Sequence, residues 1–333
     1  MKKTVLAIVV SLVILLSGCI NEAPAADISE DHADNMIVVG FSQVGAESEW
    51  RVANTESIKA TLSEENGYEL IFDDARNMQE NQIRAIRTFI QQDVDYIVVS
   101  PRTETGWNSI LLEAKEAGIP VIVIDRDIET EDRGLYTAYV GSNFRKEGEK
   151  AVRWLEELLD IQGRSEDPIR IVHIMGTIGS SAQIGRTGAL DQAVELNPNW
   201  EIVAWEDGDF TRAKASEVMD SILEQTQDID VVYCENDGEA LGAIDAMKKA
   251  HIECNADDGV IVISFDATRL GLTYCLEGKI GLNVECNPLQ GPYVDEIIKR
   301  LENGEPIERK KYIDEAQFDC FSITQQMIDA RDY

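Results

Sequence analysis

Polar, charged and aromatic side chains gather where the apolar segments of this 333-residue chain end. In GFSQVGAESEWR, residues 40–51, an apolar strand runs directly into amide, carboxylate, indole and guanidinium groups. Later apolar runs end in the same way. The residues at these ends are Ser42, Gln43, 47–51, Asp125, Arg126, 176–186, Asp209, Phe210, Arg212, Asn236, Asp237, Asp266 and 285–290.

This mixture of groups suits a neutral ligand with many hydroxyl groups. Each hydroxyl can donate to a carboxylate and accept from an arginine. The rings of Trp50, Trp107 and Phe210 can pack on the C–H faces of a sugar ring. Structural alternatives stay open, because Asp125 and Arg126 can form a loop salt bridge and Trp50 can be a core residue.

Other site chemistries find little support in the sequence. The glycine-rich segment MGTIGSSAQIGRTG, residues 175–188, lacks both GxxxxGK[ST] and GxGxxG. His173 lies within an apolar strand and is predicted to be a core residue, and no GxSxG segment or zinc-ligand spacing occurs. A glycosidase stays an alternative, because Glu47, Asp125 and Asp266 could supply a carboxylate pair. We predict a binding protein that is not an enzyme and has no catalytic residue, cofactor or metal.

The elements that must position these residues alternate regularly. Apolar runs rich in valine and isoleucine are separated by stretches of helical period, such as residues 81–92, where Ile83, Ile86 and Ile90 share one face. Alternating strands and helices imply a parallel sheet, and continuous apolar strands imply that both faces are covered. Ligands of such sheets bind beyond the carboxyl ends of the strands.

One segment of the chain is echoed later. QDVDYIVVSP, residues 92–101, reads like QDIDVVYCEN, residues 227–236. Both segments close a helix and start a buried strand, which predicts two similar α/β lobes in tandem. The length also favours two domains or one large α/β domain.

The charge of the chain restricts its partners. Asp and Glu number 62 against 30 Lys and Arg, which gives a formal net charge of -32. Such a surface repels phosphate backbones and anionic headgroups, so we predict no nucleic-acid partner.

The N-terminus predicts a location. Lys2 and Lys3 precede an apolar run, residues 5–16, which has the length of a signal-peptide core. It ends in Leu-Ser-Gly-Cys, which resembles the bacterial lipobox; a plain secretory signal or an uncleaved anchor are the alternatives. We predict a lipoprotein signal peptide over residues 1–18, a lipid on Cys19, a disordered tether over 19–35 and a folded body from about Met36.

Five further cysteines leave the disulfide question open. They are Cys234, Cys254, Cys275, Cys286 and Cys320. None has CxxC spacing, and a disulfide outside the cytoplasm is permitted but not required.

Several segments, in order, resemble the sugar-binding proteins of bacterial ABC transporters, and most of all the galactofuranose-binding members. They are GFSQVGAESEWRVAN, NQIRAIRTFI, PRTETGW, IPVIVIDRDI, GDFTRAKASEVM, END and SFD. The resemblance implies the type I periplasmic binding protein fold, an α/β fold of two Rossmann-like lobes with parallel sheets.

The lobes implied by this resemblance are an N-terminal lobe of residues 36–142 plus 290–312 and a C-terminal lobe of residues 143–289 plus 313–333. Three hinge crossovers near residues 141–143, 287–290 and 311–313 would join them. The resemblance also assigns ligand-binding roles, with Trp50 and Phe210 as opposite aromatic walls. The residues so assigned are Glu47, Ser48, Trp50, Arg51, Asp125, Arg126, Arg186, Phe210, Asn236, Asp266 and Glu285, of which Glu285 is a weaker assignment, as are Arg212 and Gln290. Glu49, where a relative has glycine, and Asp127 are expected to point outward.

The function implied is that of an extracytoplasmic, lipid-anchored, monomeric protein that captures a galactofuranose-like sugar or another aldose. Its predicted partners are the monosaccharide, the permease subunits of an ABC transporter and, through the lipid, the membrane. A sensory module that presents bound sugar to a chemoreceptor or histidine kinase is the alternative. A transcription regulator would need an N-terminal helix-turn-helix, where this chain has a signal peptide.

Overall fold

The computed structural model describes residues 36–333, so the predicted signal peptide, the lipid on Cys19 and the tether lie outside the described residues. The first of two six-stranded sheets is entirely parallel. Its strands, in the spatial order β11-β5-β4-β3-β1-β2, are β1 (Ile37–Gln43), β2 (Tyr68–Asp74), β3 (Tyr96–Val99), β4 (Val121–Ile124), β5 (Ala138–Gly141) and β11 (Lys310–Tyr312).

Helices cover both faces of this first sheet. Helices α1 (Glu49–Thr61) and α9 (Gly291–Glu302) pack on one face, and α2 (Gln79–Gln91) and α3 (Asn108–Glu116) pack on the other. In β4, Ile122 and Ile124 enter the core under the first pair of helices, while Val121 and Val123 enter the core under the second. This alternation is why the strand is apolar throughout.

The second sheet repeats the arrangement with one antiparallel edge strand, β12. Its strands, in the spatial order β12-β10-β9-β8-β6-β7, are β6 (Ile169–Met175), β7 (Trp200–Asp207), β8 (Val231–Cys234), β9 (Ile261–Asp266), β10 (Leu282–Glu285) and β12 (Gln317–Asp319). Helices α4 (Phe144–Ile161) and α5 (Ser181–Leu196) cover one face. The other face carries α6 (Arg212–Gln225), α7 (Asp237–Lys249), α8 (Arg269–Leu276) and α10 (Gln325–Asp329).

The repeated segments found in the sequence supply β3 and β8, which hold the same position in the two sheets, third from one edge. We call the parts of the chain built on the first and second sheets the first and second lobes. The chain passes between them three times, at residues 142–143, 286–290 and 313–316. The predicted two-lobe α/β fold is confirmed, although the third passage follows β11 rather than overlapping it.

None of the helices within residues 36–333 is long and apolar enough to cross a membrane. The five cysteines of this part of the chain are free thiols.

Candidate functional site

The carboxyl ends of the strands in both sheets face a common cavity between the lobes, with about 290 Å³ of empty space. Ten of the eleven residues predicted to bind the ligand line the cavity. All of its lining residues are Glu47, Ser48, Trp50, Arg51, Asp125, Arg126, Phe144, Ala182, Arg186, Phe210, Asn236, Asp266 and Cys286.

The first-lobe wall is built around the start of α1. Ser48 is the N-cap of this helix, and its hydroxyl accepts from the Arg51 N–H at 3.1 Å. The cap fixes the first helical turn, so the buried Arg51 guanidinium points at the end of β4. There it donates to Asp125 Oδ2 at 2.6 Å and to Ser100 Oγ at 3.0 Å.

Glu47 and Arg126 complete this wall. Glu47 Oε1 accepts from Arg51 Nε at 3.0 Å and from Arg126 at 3.4 Å. Burial would raise the pKa of Glu47, but the two guanidinium groups outweigh it and hold that pKa below its usual range. Burial and the adjacent Arg51 lower the pKa of Arg126 to about 10. The two carboxylates and two guanidinium groups of the wall therefore pair with one another.

The second-lobe wall contains two residues fixed by helix α7. Asn236 is the N-cap of α7, accepting from the Glu239 N–H at 2.8 Å, and its amide donates to the Phe210 carbonyl at 3.1 Å. The Phe210 N–H in turn donates to the Glu239 carboxylate at 2.8 Å. These bonds hold the Phe210 ring at the cavity, 5.0 Å from the Arg126 guanidinium of the first lobe.

Asp266 differs from the other carboxylates of the cavity. It ends β9 and is buried, yet no donor within residues 36–333 hydrogen-bonds its carboxylate. Burial, with a smaller effect of the Asp237 carboxylate, raises its pKa well above the ordinary value. A buried acceptor without a protein donor is available to the hydroxyl of a ligand.

Arg186 of α5 is held from behind by Glu147 of α4. Its Nε donates to Glu147 Oε2 at 2.8 Å, and its guanidinium lies 4.7 Å from the Phe265 ring. Burial would lower the pKa of Arg186, but Glu147 outweighs it and raises the pKa. Arg186 is therefore a fixed cation at the base of the second-lobe wall.

Three residues of the site have backbone in the left-handed region. The φ angles are 61° at Asp125, 58° at Phe210 and 105° at Asp266. Such conformations cost about 1 to 3 kcal/mol each in non-glycine residues, and they are concentrated at functional sites. At these strand ends the backbone turns so that the side chain faces the cavity.

No ligand-binding role was predicted for Phe144, Ala182 or Cys286, although the last two lie within the strand-end segments 176–186 and 285–290. With Trp50 and Phe210 they form an apolar cluster from both lobes. The Trp50 indole N–H donates to the Cys286 carbonyl at 2.6 Å, which ties the first-lobe wall to the second crossing. The sequence criterion was a polar, charged or aromatic side chain at the end of a strand, which does not select apolar residues in helices and crossings. The only sequence feature that could have found these residues is their position beside the predicted hinges.

Glu285 was also predicted to bind the ligand, but the structure does not bring it to the cavity. Its carboxylate accepts from Arg331 at 2.5 Å, from the Tyr333 hydroxyl at 3.0 Å and from the Ala316 N–H at 2.7 Å. The Glu285 carboxylate therefore accepts hydrogen bonds from groups that follow β11 in the chain, and it is not available to a ligand in the cavity.

The other two weaker assignments, Arg212 and Gln290, also lie outside the cavity. Arg212 is partly exposed and pairs with Asp245 at 2.7 Å, at the mouth of the cleft. The buried Gln290 amide accepts from Asn54 at 3.1 Å beside the second crossing. Glu49 is exposed at the same mouth, in agreement with its expected outward direction.

The sequence predicted that Asp127 faces solvent, but in the structure its side chain is only partly exposed and has bonding partners. Its carboxylate accepts from Lys310 Nζ at 2.5 Å and from the Tyr136 hydroxyl at 3.4 Å. Its backbone N–H donates to Ser181 Oγ of the second lobe at 2.8 Å. A further hydrogen bond runs from the Asn77 amide of the first lobe to the Asp209 carboxylate of the second lobe at 3.1 Å. The two lobes are therefore closed on the cavity.

His173 is buried, and its Nε2 lies 3.1 Å from Glu235 Oε1. The partner confirms the prediction of a satisfied core histidine.

A closed cavity lined by strand ends of two similar lobes defines a solute-binding protein. Residues 39–299 match the family model described as a periplasmic binding protein domain, so the chain belongs to this family. Its members are extracytoplasmic binding proteins and not enzymes.

Individual relatives bind sugars. The chain is 36% identical over 272 residues to the galactofuranose-binding protein YtfQ of Escherichia coli K12, covering 80% of this chain and 83% of that protein. A crystal structure from Mycobacterium smegmatis in complex with β-D-fucofuranose is similar with a TM-score of 0.81 and 41% identity, covering 88% and 93% of the two chains. The periplasmic component of the arabinose ABC transporter of Shewanella sp. ANA-3, bound to L-arabinofuranose, gives a TM-score of 0.78 and 35% identity, covering 89% and 99%.

Proposed function

We propose that this protein binds one monosaccharide in its furanose form within the interlobe cavity and delivers it to the permease of an ABC transporter. One observation carries the proposal: the strand ends of both lobes put balanced charges, an unpaired carboxylate and two aromatic rings around one closed cavity. Sugar hydroxyls need such donors and acceptors, and the C–H faces of the ring need the aromatic surfaces.

The furanose form is favoured by the relatives. The relatives described above bind galactofuranose, fucofuranose and arabinofuranose. The apolar corner formed by Phe144, Ala182 and Cys286 suits a part of the sugar with few hydroxyls.

A thermal-shift screen tests the proposal. The panel contains D-galactose, D-fucose, L-arabinose, D-ribose and D-glucose, with mannitol as an acyclic control. A sugar at about 100 times its Kd adds about 2.7 kcal/mol to the free energy of unfolding, so the melting temperature rises measurably. No shift with any of these sugars would contradict the proposal.

The ring form of the bound sugar is determined by NMR on the complex, with the sugar that raises the melting temperature in the screen. In solution this sugar is a mixture of ring forms, and a site that takes only one form has an apparent Kd raised by the reciprocal of that form's fraction. ¹³C NMR of the labelled sugar should show a furanose anomeric signal in the complex, and a pyranose signal would contradict the furanose part of the proposal alone.

The location of the protein is part of the same proposal. A lipid on Cys19 would hold the binding unit beside the permease. Replacing Cys19 with serine should move the protein from the membrane fraction to the soluble extracytoplasmic fraction without changing sugar affinity. Retention of Cys19→Ser in the membrane fraction would contradict the lipid anchor.

A further inference from the structure

All three passages between the lobes meet at one buried cluster. Glu315, from the third passage, accepts at Oε1 from the Ser142 hydroxyl of the first passage at 2.5 Å and from the Asn287 N–H of the second at 2.8 Å. The Ser142 hydroxyl also lies 3.2 Å from Cys286 Sγ, a residue of the cavity. A single carboxyl group therefore cross-links the three segments that must move when the lobes open.

A second carboxyl group lies against the first. Glu147 lies in the first turns of α4, and one of its carboxylate oxygens lies within 4.8 Å of an oxygen of Glu315 and of Cys286 Sγ. Glu147 is 1% exposed. Its Oε2 accepts from Arg186, but its Oε1 has no donor among the described residues. A buried carboxylate oxygen without a donor is costly, so something must satisfy it.

The charged groups around Glu147 and Glu315 indicate what balances the two carboxylates. Arg186, at 2.8 Å, balances one of the two carboxylates. Lys150 donates at 2.6 Å to the backbone carbonyl of Glu315 and not to either carboxylate. The Cys286 thiol is neutral, because burial raises its pKa well above the ordinary value. Asp266, the remaining nearby acid, acts on Arg186 from the cavity side. Arg186 is thus the one cation bonded to the two carboxylates, while Lys150 acts on Glu147 only through its charge, so a single proton is enough to complete the pairing.

We propose that Glu147 and Glu315 share one proton, and that this proton holds the three crossings together when the lobes are closed. Glu315 Oε1 already accepts two bonds, so the proton lies on Glu315 Oε2 and is donated to Glu147 Oε1. Two like carboxyl groups in contact cannot both ionise without strong repulsion. Loss of the proton therefore separates the third crossing from α4 and favours opening of the lobes.

The titration of the pair supports this geometry. Burial, as the larger cause, and the charge of the Glu147 carboxylate, as the second, raise the pKa of Glu315 to about 9. The native state thus keeps a proton that the unfolded chain loses at the ordinary pKa of a glutamate. Stability contributed by this proton is fully present in acid and is lost as the pH rises towards about 9.

The first test compares full-length wild-type protein with Glu315→Gln, whose amide can donate to Glu147 without a titratable proton. Melting temperature is measured across the range from about pH 6 to about pH 10. We expect the wild type to lose stability relative to Glu315→Gln as the pH rises. The control Glu308→Gln removes an exposed carboxylate of the same segment and should follow the wild type. Equal pH profiles of wild type and Glu315→Gln would overturn the proposal.

The second test addresses the hinge and needs no sugar. Small-angle scattering should show a larger radius of gyration for the wild type above about pH 9 than at neutral pH, and no such change for Glu315→Gln. An identical pH response of both proteins would overturn the role of the proton in closure.

The last test needs no variant and so does not depend on the folding of Glu315→Gln. In wild-type protein labelled with ¹³C at glutamate side-chain carboxyls, NMR should show a carboxyl that titrates near pH 9. Titration of every glutamate below about pH 6 would overturn the proposal. So would metal bound in a one-to-one ratio whose removal by a chelator lowers the melting temperature, because a cation would then occupy the place of the proton.

Discussion

The two walls of the cavity differ in how their charges are satisfied. In the first lobe, Glu47 and Asp125 are paired with Arg51 and Arg126, and the four groups bond to one another before any ligand arrives. In the second lobe, Asp266 has no donor among the described residues.

This difference suggests an order of events. The first wall is preorganised, so it can accept a sugar in the open protein at little cost of rearrangement. The second wall gains a missing hydrogen bond only when the lobes close on the ligand, so the sugar shifts the population towards the closed form by contacting both walls. Variants of the two walls should therefore differ in their effect on the stability of the empty protein.

The largest effect is expected from Asp125→Ala in the first wall. Loss of this carboxylate leaves the buried Arg51 without its nearest partner, at 2.6 Å. Breaking a buried ion pair in this way costs about 3 to 5 kcal/mol, so the free energy of unfolding without ligand should fall by that order, and sugar affinity should fall at least about tenfold. Denaturant unfolding and titration calorimetry measure the two effects.

The control for this variant is Asp258→Ala. Asp258 is exposed and its carboxylate makes no bond within the described residues, whereas Asp127, which pairs with Lys310, would be a poor choice. If Asp125→Ala binds and unfolds like Asp258→Ala, then the first-wall network does not have the role assigned to it.

The contrasting change in the second wall is Asp266→Asn. The raised pKa of Asp266 means that its contribution to stability is present in acid and is lost as the pH rises through that pKa. A neutral amide avoids this loss, so the melting temperature of the empty protein at neutral pH should rise.

Sugar affinity should nevertheless fall about tenfold in Asp266→Asn, because a charge-assisted hydrogen bond is replaced by a weaker one. A fall in melting temperature at neutral pH without ligand would show that Asp266 is satisfied in the empty protein, and the contrast between the walls would fail.

A smaller effect is expected from Trp50→Phe. This change keeps an aromatic face in the cavity but removes the N–H that donates to the Cys286 carbonyl. A net loss of about 1 kcal/mol corresponds to about a fivefold weaker affinity, which titration calorimetry measures. An unchanged affinity would mean that this link to the second crossing does not stabilise the closed form.

The smallest effect is expected from Glu49→Gly, which removes a carboxylate at the start of α1. Glu49 is exposed at the mouth of the cleft and does not line the cavity. Affinity for the sugar should change by less than about twofold. A larger change would mean that the mouth of the cleft takes part in selecting the ligand.

The sequence could predict the parts of the site that obey a local rule. Asp125, Asn236 and Asp266 lie at or just beyond the ends of apolar strands, and parallel strands bring their carboxyl ends to one edge. The echo of β3 in β8 likewise showed that there are two lobes, because the same buried position demands the same apolar pattern.

Other features depend on contacts between distant parts of the chain. Glu285 also ends a strand, but Arg331 and Tyr333, near the C-terminus, turn it away from the cavity. The proximity of Glu147 and Glu315 brings a helix start near a crossing far along the chain, and neither residue has a local motif. Such placements are decided by tertiary packing, which residue spacing does not encode.

The most direct test of the central claim is a crystal structure of the protein with the sugar that gives the largest thermal shift. The account predicts one furanose ring between Trp50 and Phe210, with hydroxyls bonded to the first-lobe network and a hydroxyl donating to Asp266. A sugar bound outside the cavity, or bonded to one lobe only, would contradict it.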